Sequence, residues 1–315
     1  MRRKQMNNNR EKYRKMSVEE RIELVEKLFI MHPSFERCLN KIQECHQNSK
    51  ISAEPFCMLI TGEPGVGKTT LCKKCEERNP RVELDEKTKI PVLLARIPIP
   101  ATPKNLVTVL LTALGDPLAD KGTTYNQTRR LIKLLKECEV ELIILDEFQH
   151  FIDKDSDRIL YTISDWLKQL INETGIPIIL VGLSQSVKVL KANSQLKRRF
   201  SMQDGLSNFK WLKKSDKKNP DEDNTGTDIE TNFRGFLKIL DDALPLAEDS
   251  HLAGKLLAYR MWKATYGNVA RTMKIVRYAT RLVLKSNEEK ISLPLLEEAY
   301  NKLFAGDTVK NPFTN

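Results

Sequence analysis

The sequence predicts a parallel α/β sheet with helices on both faces, followed by a small all-helical domain. Four short apolar runs predict the strands: FCMLIT (56–61), PVLLARI (91–97), VELIIL (140–145) and IPIILVG (176–182). Stretches with helical periodicity separate them, an alternation that is typical of a parallel sheet covered on both sides. The later part of the chain shows four helical patterns and no strand pattern, at residues 231–244, 251–266, 269–286 and 292–304.

Capping and composition define the remaining segments. Ser17 and Glu20 form a capping-box pattern that opens one helix, and a second helix is expected from Ser34 to about Gln47. Polar stretches without periodicity predict a disordered arm and an exposed linker. We therefore expect a basic disordered N-terminal arm, an α/β core with N-terminal helices, a charged linker, a helical lid domain and a C-terminal tail: residues 1–16, 17–212, 213–230, 231–306 and 307–315.

The positive charge of the chain is clustered. The formal net charge is +10, residues 1–15 hold seven Lys/Arg against one Glu, and residues 187–218 hold ten Lys/Arg against two Asp. Such clustering suits a polyanion such as DNA, although a solubilising tail is an equal alternative for the arm. No apolar run is long enough for a bilayer, and a charged segment follows the basic N-terminus, so we expect a cytoplasmic protein without a membrane partner.

The six cysteines do not form the dense pattern of a disulfide framework. Cys72 and Cys75 have the spacing of a metal or redox pair. Since no second matching pair follows them, we interpret them as thiols on a helix face.

The segment GEPGVGKT (62–69) fits the phosphate-binding pattern G-x-x-x-x-G-K-[ST] at every fixed position. The glycines permit a loop whose backbone N–H groups point at phosphate oxygens, and the following helix adds its positive N-terminal end. Lys68 is expected to reach the β- and γ-phosphates, and the Thr69 hydroxyl to ligate Mg²⁺. The predicted nucleotide contacts are Gly62, Glu63, Pro64, Gly65, Val66, Gly67, Lys68, Thr69 and Thr70.

Two carboxylates complete this site at the end of the apolar run LIILDE (142–147). Asp146 is placed to hold Mg²⁺ and to complete the nucleotide site, and Glu147 to orient and deprotonate an attacking water. A small-molecule kinase must exclude that water, so Glu147 favours nucleotide hydrolysis. Ser184 and Gln185 follow the next predicted strand and are candidates for sensing the γ-phosphate, the alternative being an ordinary helix cap.

Arg198 and Arg199 lie in NSQLKRRF (193–200), one probable helix after Ser184. The string is similar to a segment of initiator-type AAA+ proteins, in which an arginine reaches the neighbouring subunit's nucleotide. We prefer Arg199 as this arginine finger, with Arg198 second; a DNA contact and a solvated face are the alternatives. Hydrolysis would then require an oligomer.

The predicted lid helix GNVARTMKIVRYATRLVLK (267–285) carries a basic stripe. Its glycine and Arg271 resemble the AAA+ sensor 2 pattern, so Arg271 is a candidate nucleotide contact, although it falls one residue later than in the commonest initiator pattern. The rest of the stripe is expected to be a solvated face.

Four segments together resemble the TniB/TnsC family of AAA+ transposition regulators, including those of CRISPR-associated transposons: LIILDEFQHF, WLKQLINETGIPIILVGL, QLKRRF and NFRGFLKILDDALPL. The resemblance runs from about residue 20 to 305. It implies an ATPase, with ATP rather than GTP as nucleotide, that assembles as a ring or filament on double-stranded DNA. It also implies partners: a transposase and a TniQ-type target selector, in some systems a CRISPR effector.

The resemblance places DNA-facing residues on the loops after the second predicted strand and after the acidic pair. The candidates are Lys104, Lys121, Thr124 and Lys154. Backbone contacts need lysine, arginine and hydroxyl groups, and no base-reading motif appears, so we expect little sequence specificity; ordinary loop polarity is the alternative. Two other functions stay open: a replication initiator or helicase loader, and a nucleotide-switched signalling protein without DNA.

Overall fold

A computed structural model describes residues 10–49, 51–52, 54–151, 157–192, 194–211, 229–306 and 310–314. The chain divides into two compact units. The α/β unit comprises Pro33–Leu206, and the helical unit comprises Met1–His32 together with Ser207–Asn315.

The described residues form strands, α-helices and short 3-10 helices. The strands are β1 (Met58–Gly62), β2 (Val82–Glu83), β3 (Thr88–Lys89), β4 (Val92–Arg96), β5 (Leu142–Asp146), β6 (Ile178–Gly182) and β7 (Met202–Leu206). The α-helices are α1 (Val18–Lys27), α2 (Pro33–Ser49), α3 (Lys68–Arg78), α4 (Pro103–Leu114), α5 (Thr124–Glu137), α6 (Asp157–Thr174), α7 (Val187–Ala192), α8 (Ser194–Arg199), α9 (Ile229–Ala243), α10 (Lys255–Thr265), α11 (Val269–Lys285) and α12 (Leu293–Leu303). The 3-10 helices are Lys12–Lys15, Phe148–Phe151 and Ser184–Ser186.

The α/β unit contains a five-stranded parallel sheet with the order β4-β5-β6-β1-β7. All four predicted strands are present, and every residue of β5 and β6 is buried. Fully buried strands are typical of a parallel sheet with covered faces, so the predicted fold class is confirmed. Because all strands run in the same direction, their carboxyl ends meet at one edge of the sheet, which we call the carboxyl edge.

Strand β7 was not predicted from the sequence. It lies at the edge of the sheet, pairs with β1 and is largely half-exposed, so its sequence MQDGL is not an apolar run. Asp204 of this strand forms ion pairs with Arg37 and Lys41 of α2, at 3.1 and 2.9 Å. The short antiparallel pair β2 and β3 was also missed, since both strands have two residues and little burial.

The helical unit contains the four predicted lid helices, α9 to α12, around its own apolar core. Core residues recur at helical spacing, as Phe233, Phe236, Leu237 and Leu240 do in α9. Among the described helices of both units, none is long and apolar enough to cross a lipid bilayer.

Helix α1 belongs to the helical unit, although it was predicted as part of the α/β core. Its predicted capping box is present: Ser17 accepts a hydrogen bond from the Glu20 N–H, and the Glu20 carboxylate accepts one from the Ser17 N–H. Arg21 is 5% exposed, donates to the Pro245 carbonyl at 2.8 Å and pairs with Glu289 at 2.7 Å. These partners lie far along the chain, so local pattern does not reveal them.

Two arginines in the basic stripe of α11 also form hydrogen bonds or ion pairs with the C-terminal end of α1. Arg277 donates to the carbonyls of Val25 and Leu28, at 3.3 and 3.0 Å, and Arg281 pairs with Glu26 at 2.7 Å. Orphan carbonyls at a helix C-terminus accept such donors readily. The expectation of a solvated face is therefore wrong for Arg277, which is part-buried, whereas Arg281 is exposed as predicted.

The predicted disordered arm ends earlier than residue 16. Lys12–Lys15 form a 3-10 helix, and Arg10 is buried. The Arg10 guanidinium donates to the Asp241 carbonyl and lies 3.5 Å from the Asp242 carboxylate. Residues 1–9 of the predicted arm and 213–228 of the predicted linker lie outside the described residues.

Candidate nucleotide site

The phosphate loop connects β1 to α3 at the carboxyl edge. Gly65 and Gly67 have φ angles of 77° and 102°, a region that favours glycine. Gly62 is required for space, because a Cβ there would lie 2.4 Å from the Leu206 carbonyl of β7. The predicted contacts from Gly62 to Thr70 thus run from the end of β1, through the loop at residues 63–67, into the first turn of α3.

Lys68 is buried at the start of α3. Its Nζ donates to the carbonyls of Gly62 and Glu63, at 2.8 and 2.9 Å. Burial lowers the pKa of Lys68, and the carboxylates of Glu147 and Asp146 oppose that shift. The ammonium group is therefore held inside the loop, where phosphate oxygens would meet it.

Thr69 and Asp146 come together although 77 positions separate them in the sequence. The Thr69 hydroxyl donates to Asp146 Oδ2 at 2.7 Å, and Asp146 is 3% exposed at the end of β5. A hydroxyl beside a carboxylate offers the hard oxygen donors that Mg²⁺ prefers when it also binds nucleotide phosphates. The residues present fit a magnesium–nucleotide complex.

Glu147 follows Asp146 with a φ of 62°, a backbone conformation that is uncommon for residues other than glycine. Its Oε2 accepts a hydrogen bond from Gln149 Nε2 and lies 4.0 Å from His150 Nε2. Arg96, the last residue of β4, approaches Oε1 at 3.5 Å. Sequence reasoning missed Gln149, because the 3-10 turn that carries it was not assigned. It missed Arg96 because, although its strand was predicted, the pairing of that strand with β5 was not.

Ser184 begins the 3-10 helix that directly follows β6, and it is exposed. The preceding residue, Leu183, donates its N–H to Gln149 Oε1 at 3.1 Å. Ser184 therefore follows a residue whose N–H binds Gln149, two positions after Glu147. Its role in sensing the γ-phosphate stays a prediction.

Arg199 is the last residue of α8, and β7 begins three residues later. Its guanidinium donates to Asn172 Oδ1 near the C-terminus of α6. Both positions precede the start of a strand, so Arg199 lies at the amino edge of the sheet. A strand of five residues spans about 15 Å, so Arg199 is remote from the phosphate loop of its own chain. Arg198 beside it is exposed.

Two of the four predicted DNA contacts lie close to each other. Lys121 pairs with Asp120 at 3.1 Å, and the charges of Lys121 and Lys104 both lower the pKa of Asp120. Thr124 is the first residue of α5, three positions further on. Lys104 and Lys121 are exposed. Lys154 lies outside the described residues.

Arg271 lies near the start of α11 in the helical unit. Its guanidinium is 4.1 Å from the Phe304 ring centroid and donates to the Ala264 carbonyl at 3.4 Å. The helix is capped by Asn268, whose side chain accepts from the Arg271 N–H. Its role as a nucleotide contact stays a prediction.

Solved structures share this fold. The ORC2 protein of Aeropyrum pernix, in ADPNP and ADP complexes, has 16% identity and a TM-score of 0.62 over 89% of this chain and 71% of its own. Cdc6p of Pyrobaculum aerophilum has 16% identity and a TM-score of 0.63 over 91% and 72%. The Aeropyrum pernix ORC1 protein in complex with DNA has 16% identity and a TM-score of 0.57 over 87% and 66%. These likenesses show the AAA+ fold alone.

The sequence comparisons give the family. No curated protein matches the chain. A family model described as TniB, bacterial TniB protein, matches residues 21–210, which include the phosphate loop, the acidic pair and Arg199. Because this match covers more than half of a chain with the AAA+ fold, the protein belongs to the TniB family.

Proposed function

We propose that this protein is an ATP-dependent regulator of DNA transposition that oligomerises on double-stranded DNA and hydrolyses ATP to disassemble. The observation that carries the proposal is the Thr69–Asp146 pair beside Glu147, in a chain of the TniB family. ATP supports assembly in this proposal, and hydrolysis ends it.

The phosphate loop and the N-terminus of α3 bind the nucleotide phosphates, and Lys68 contacts their β- and γ-oxygens. Thr69 and Asp146 hold Mg²⁺, which neutralises phosphate charge when it is bound. Glu147 orients the attacking water and accepts its proton. The same-fold ORC2 protein, with its ADPNP and ADP complexes, supports an adenine nucleotide.

Arg199 completes the site of a neighbouring copy. Its place at the amino edge keeps it from its own phosphate loop, while its half-exposed position near the end of α8 leaves it close to the surface. Arg198 is the second candidate for the same role. An arginine supplied by another subunit stabilises the charge of the transferring phosphoryl group. Hydrolysis is therefore tied to assembly.

DNA binds through backbone contacts at Lys104, Lys121 and Thr124, largely without sequence preference. The proximity of Lys104 and Lys121 supports one common surface. The DNA complex of the same-fold ORC1 protein supports this fold as a DNA-binding scaffold. The partners that follow from the family are a transposase and a TniQ-type target selector.

The test is electron microscopy of the purified chain with linear double-stranded DNA, with a non-hydrolysable ATP analogue and with ADP. We expect rings or filaments with the analogue and their absence with ADP. Monomers under both conditions, with no DNA bound, would contradict the proposal and favour a signalling switch. Assembly on a replicative helicase but not on a transposase would favour a helicase loader.

A further inference from the structure

Gln149 is a buried amide in the middle of the candidate site. It is 5% exposed and lies in the 3-10 helix Phe148–Phe151, two residues after Glu147. Its Oε1 accepts the N–H of Leu183, and its Nε2 donates to Glu147 Oε2. The amide therefore makes a hydrogen bond at both ends: its oxygen binds the residue after β6, and its nitrogen binds the Glu147 carboxylate.

The backbone determines which way this amide points. Leu183 N–H can only donate, so the group facing it must be the amide oxygen, and the amide nitrogen then faces Glu147. The end of β6 leaves room for this arrangement at Gly182, where a Cβ would lie 3.0 Å from Gln149 Oε1. The donor is thus aimed at the carboxylate.

The other groups around Glu147 hold it less firmly. The Arg96 side chain is 74% exposed and its contact of 3.5 Å is long for an N–H···O hydrogen bond. His150 lies 4.0 Å from Oε2. Lys68 interacts with Glu147 through charge alone.

We propose that Gln149 is a positioning residue that orients the Glu147 carboxylate and connects it to the end of β6, where Ser184 follows. The hydrogen bond to Oε2 leaves Oε1 as the oxygen that takes the proton from water. A base that is held in place needs no reorganisation during the reaction. This inference rests on the proposed ATPase function, with Glu147 as its base.

The first experiment uses Gln149→Met, which keeps side-chain length and removes both hydrogen bonds. We expect kcat for ATP in the presence of DNA to fall at least about tenfold, with the ATP Kd within about threefold of wild type. A wild-type kcat in this variant would overturn the proposal.

The second experiment needs no nucleotide and exchanges the two hydrogen-bonding roles. Gln149→Glu places two carboxylates together and lowers the urea midpoint, whereas the double variant Glu147→Gln, Gln149→Glu lets residue 147 donate to residue 149. We expect the double variant to recover at least half of the lost midpoint while ATPase activity stays absent, since the base is gone.

The matched control is Gln127→Glu, a second buried glutamine of the α/β unit, bonded to Thr108 and Ala119 and not to Glu147. Glu147→Gln should not relieve its loss of stability. If Glu147→Gln restores the urea midpoint of Gln149→Glu no more than that of Gln127→Glu, the hydrogen bond between residues 147 and 149 does not exist and the proposal fails. A wild-type protein without ATPase activity would instead contradict the proposed function, and the exchange experiment would still decide the contact.

Discussion

Both units bury charged and polar side chains, but they use them differently. In the α/β unit, Lys68, Asp146 and Gln149 are buried at the carboxyl edge, close to the phosphate loop and to Glu147, the base in the proposed function. In the helical unit, Arg10 and Arg21 are buried against carbonyls and carboxylates that attach the N-terminal segment.

Burying a charged group costs free energy unless the group is paired. We therefore ask what each unit gains from its buried charges. In the proposed function the α/β unit gains a prepared nucleotide site, and the helical unit gains an attachment between distant parts of the chain. Substitutions in the first set should therefore reduce nucleotide chemistry more than stability, and substitutions in the second set should do the reverse.

The largest loss of ATPase activity is expected on substitution of Arg199, which in the proposed function acts in the nucleotide site of a second copy. Arg199→Ala should lower DNA-stimulated ATPase activity by about 10³-fold, because an arginine finger stabilises the transition state, and should leave nucleotide binding intact. Steady-state hydrolysis with DNA measures this, with the exposed neighbour Lys197→Ala as control. Equal losses in both variants would indicate a general charge effect.

Lys68→Ala should weaken ATP binding by roughly 100-fold, since the ammonium group inside the loop is lost. Its thermal midpoint should change little, because the loss of the two hydrogen bonds is offset by removal of a buried charge. Titration with a fluorescent ATP analogue and a thermal melt measure the two quantities. A large drop in the melting temperature with normal binding would break the proposed division of roles.

Arg21→Met should destabilise the helical unit by about 2–3 kcal/mol, because the Pro245 carbonyl and Glu289 lose a buried charged donor. ATP affinity should remain unchanged. Urea unfolding followed by tryptophan fluorescence measures the loss, as the helical unit contains Trp211 and Trp262. The exposed pair Lys27–Glu23 is the control, and Lys27→Ala should cost less than about 0.5 kcal/mol.

The smallest effect concerns Asp204, a structural ion pair of the α/β unit. Burial by itself raises the pKa of Asp204. The hydrogen bonds from Arg37, Lys41 and the Gly205 N–H have the larger, opposite effect, so the pKa falls to about 2 from an ordinary value of 3.8. A depressed pKa stabilises the fold above the unfolded value and loses this contribution as pH falls from about 4 to 2.

Asp204→Asn should therefore cost on the order of 1 kcal/mol at pH 6, reduced by the exposure of Arg37, and almost nothing near pH 2. Urea unfolding of both proteins at pH 6 and pH 3 measures the difference. A difference that does not shrink at pH 3 would show that the pair contributes no pH-dependent stability.

The strands that bury both faces were predictable, because four continuous apolar runs have one structural solution in a parallel sheet. Edge strand β7 was not, since most of its residues are only half-buried and it contains Asp204 and Gly205. The phosphate loop and the acidic pair were predicted from spacing, whereas Gln149 and Arg96 became visible through the turn and strand that carry them.

The sequence by itself determined the fold class, the nucleotide motif, the helices of the helical unit and the capping box at Ser17, because these depend on local periodicity and short spacing. The tertiary structure alone decided that α1 joins the helical unit, that Arg10 is buried and that Gln149 lies between Glu147 and Leu183. The physical reason is that a buried polar group needs a partner, and that partner is chosen by the packing of the whole chain rather than by its neighbours in sequence.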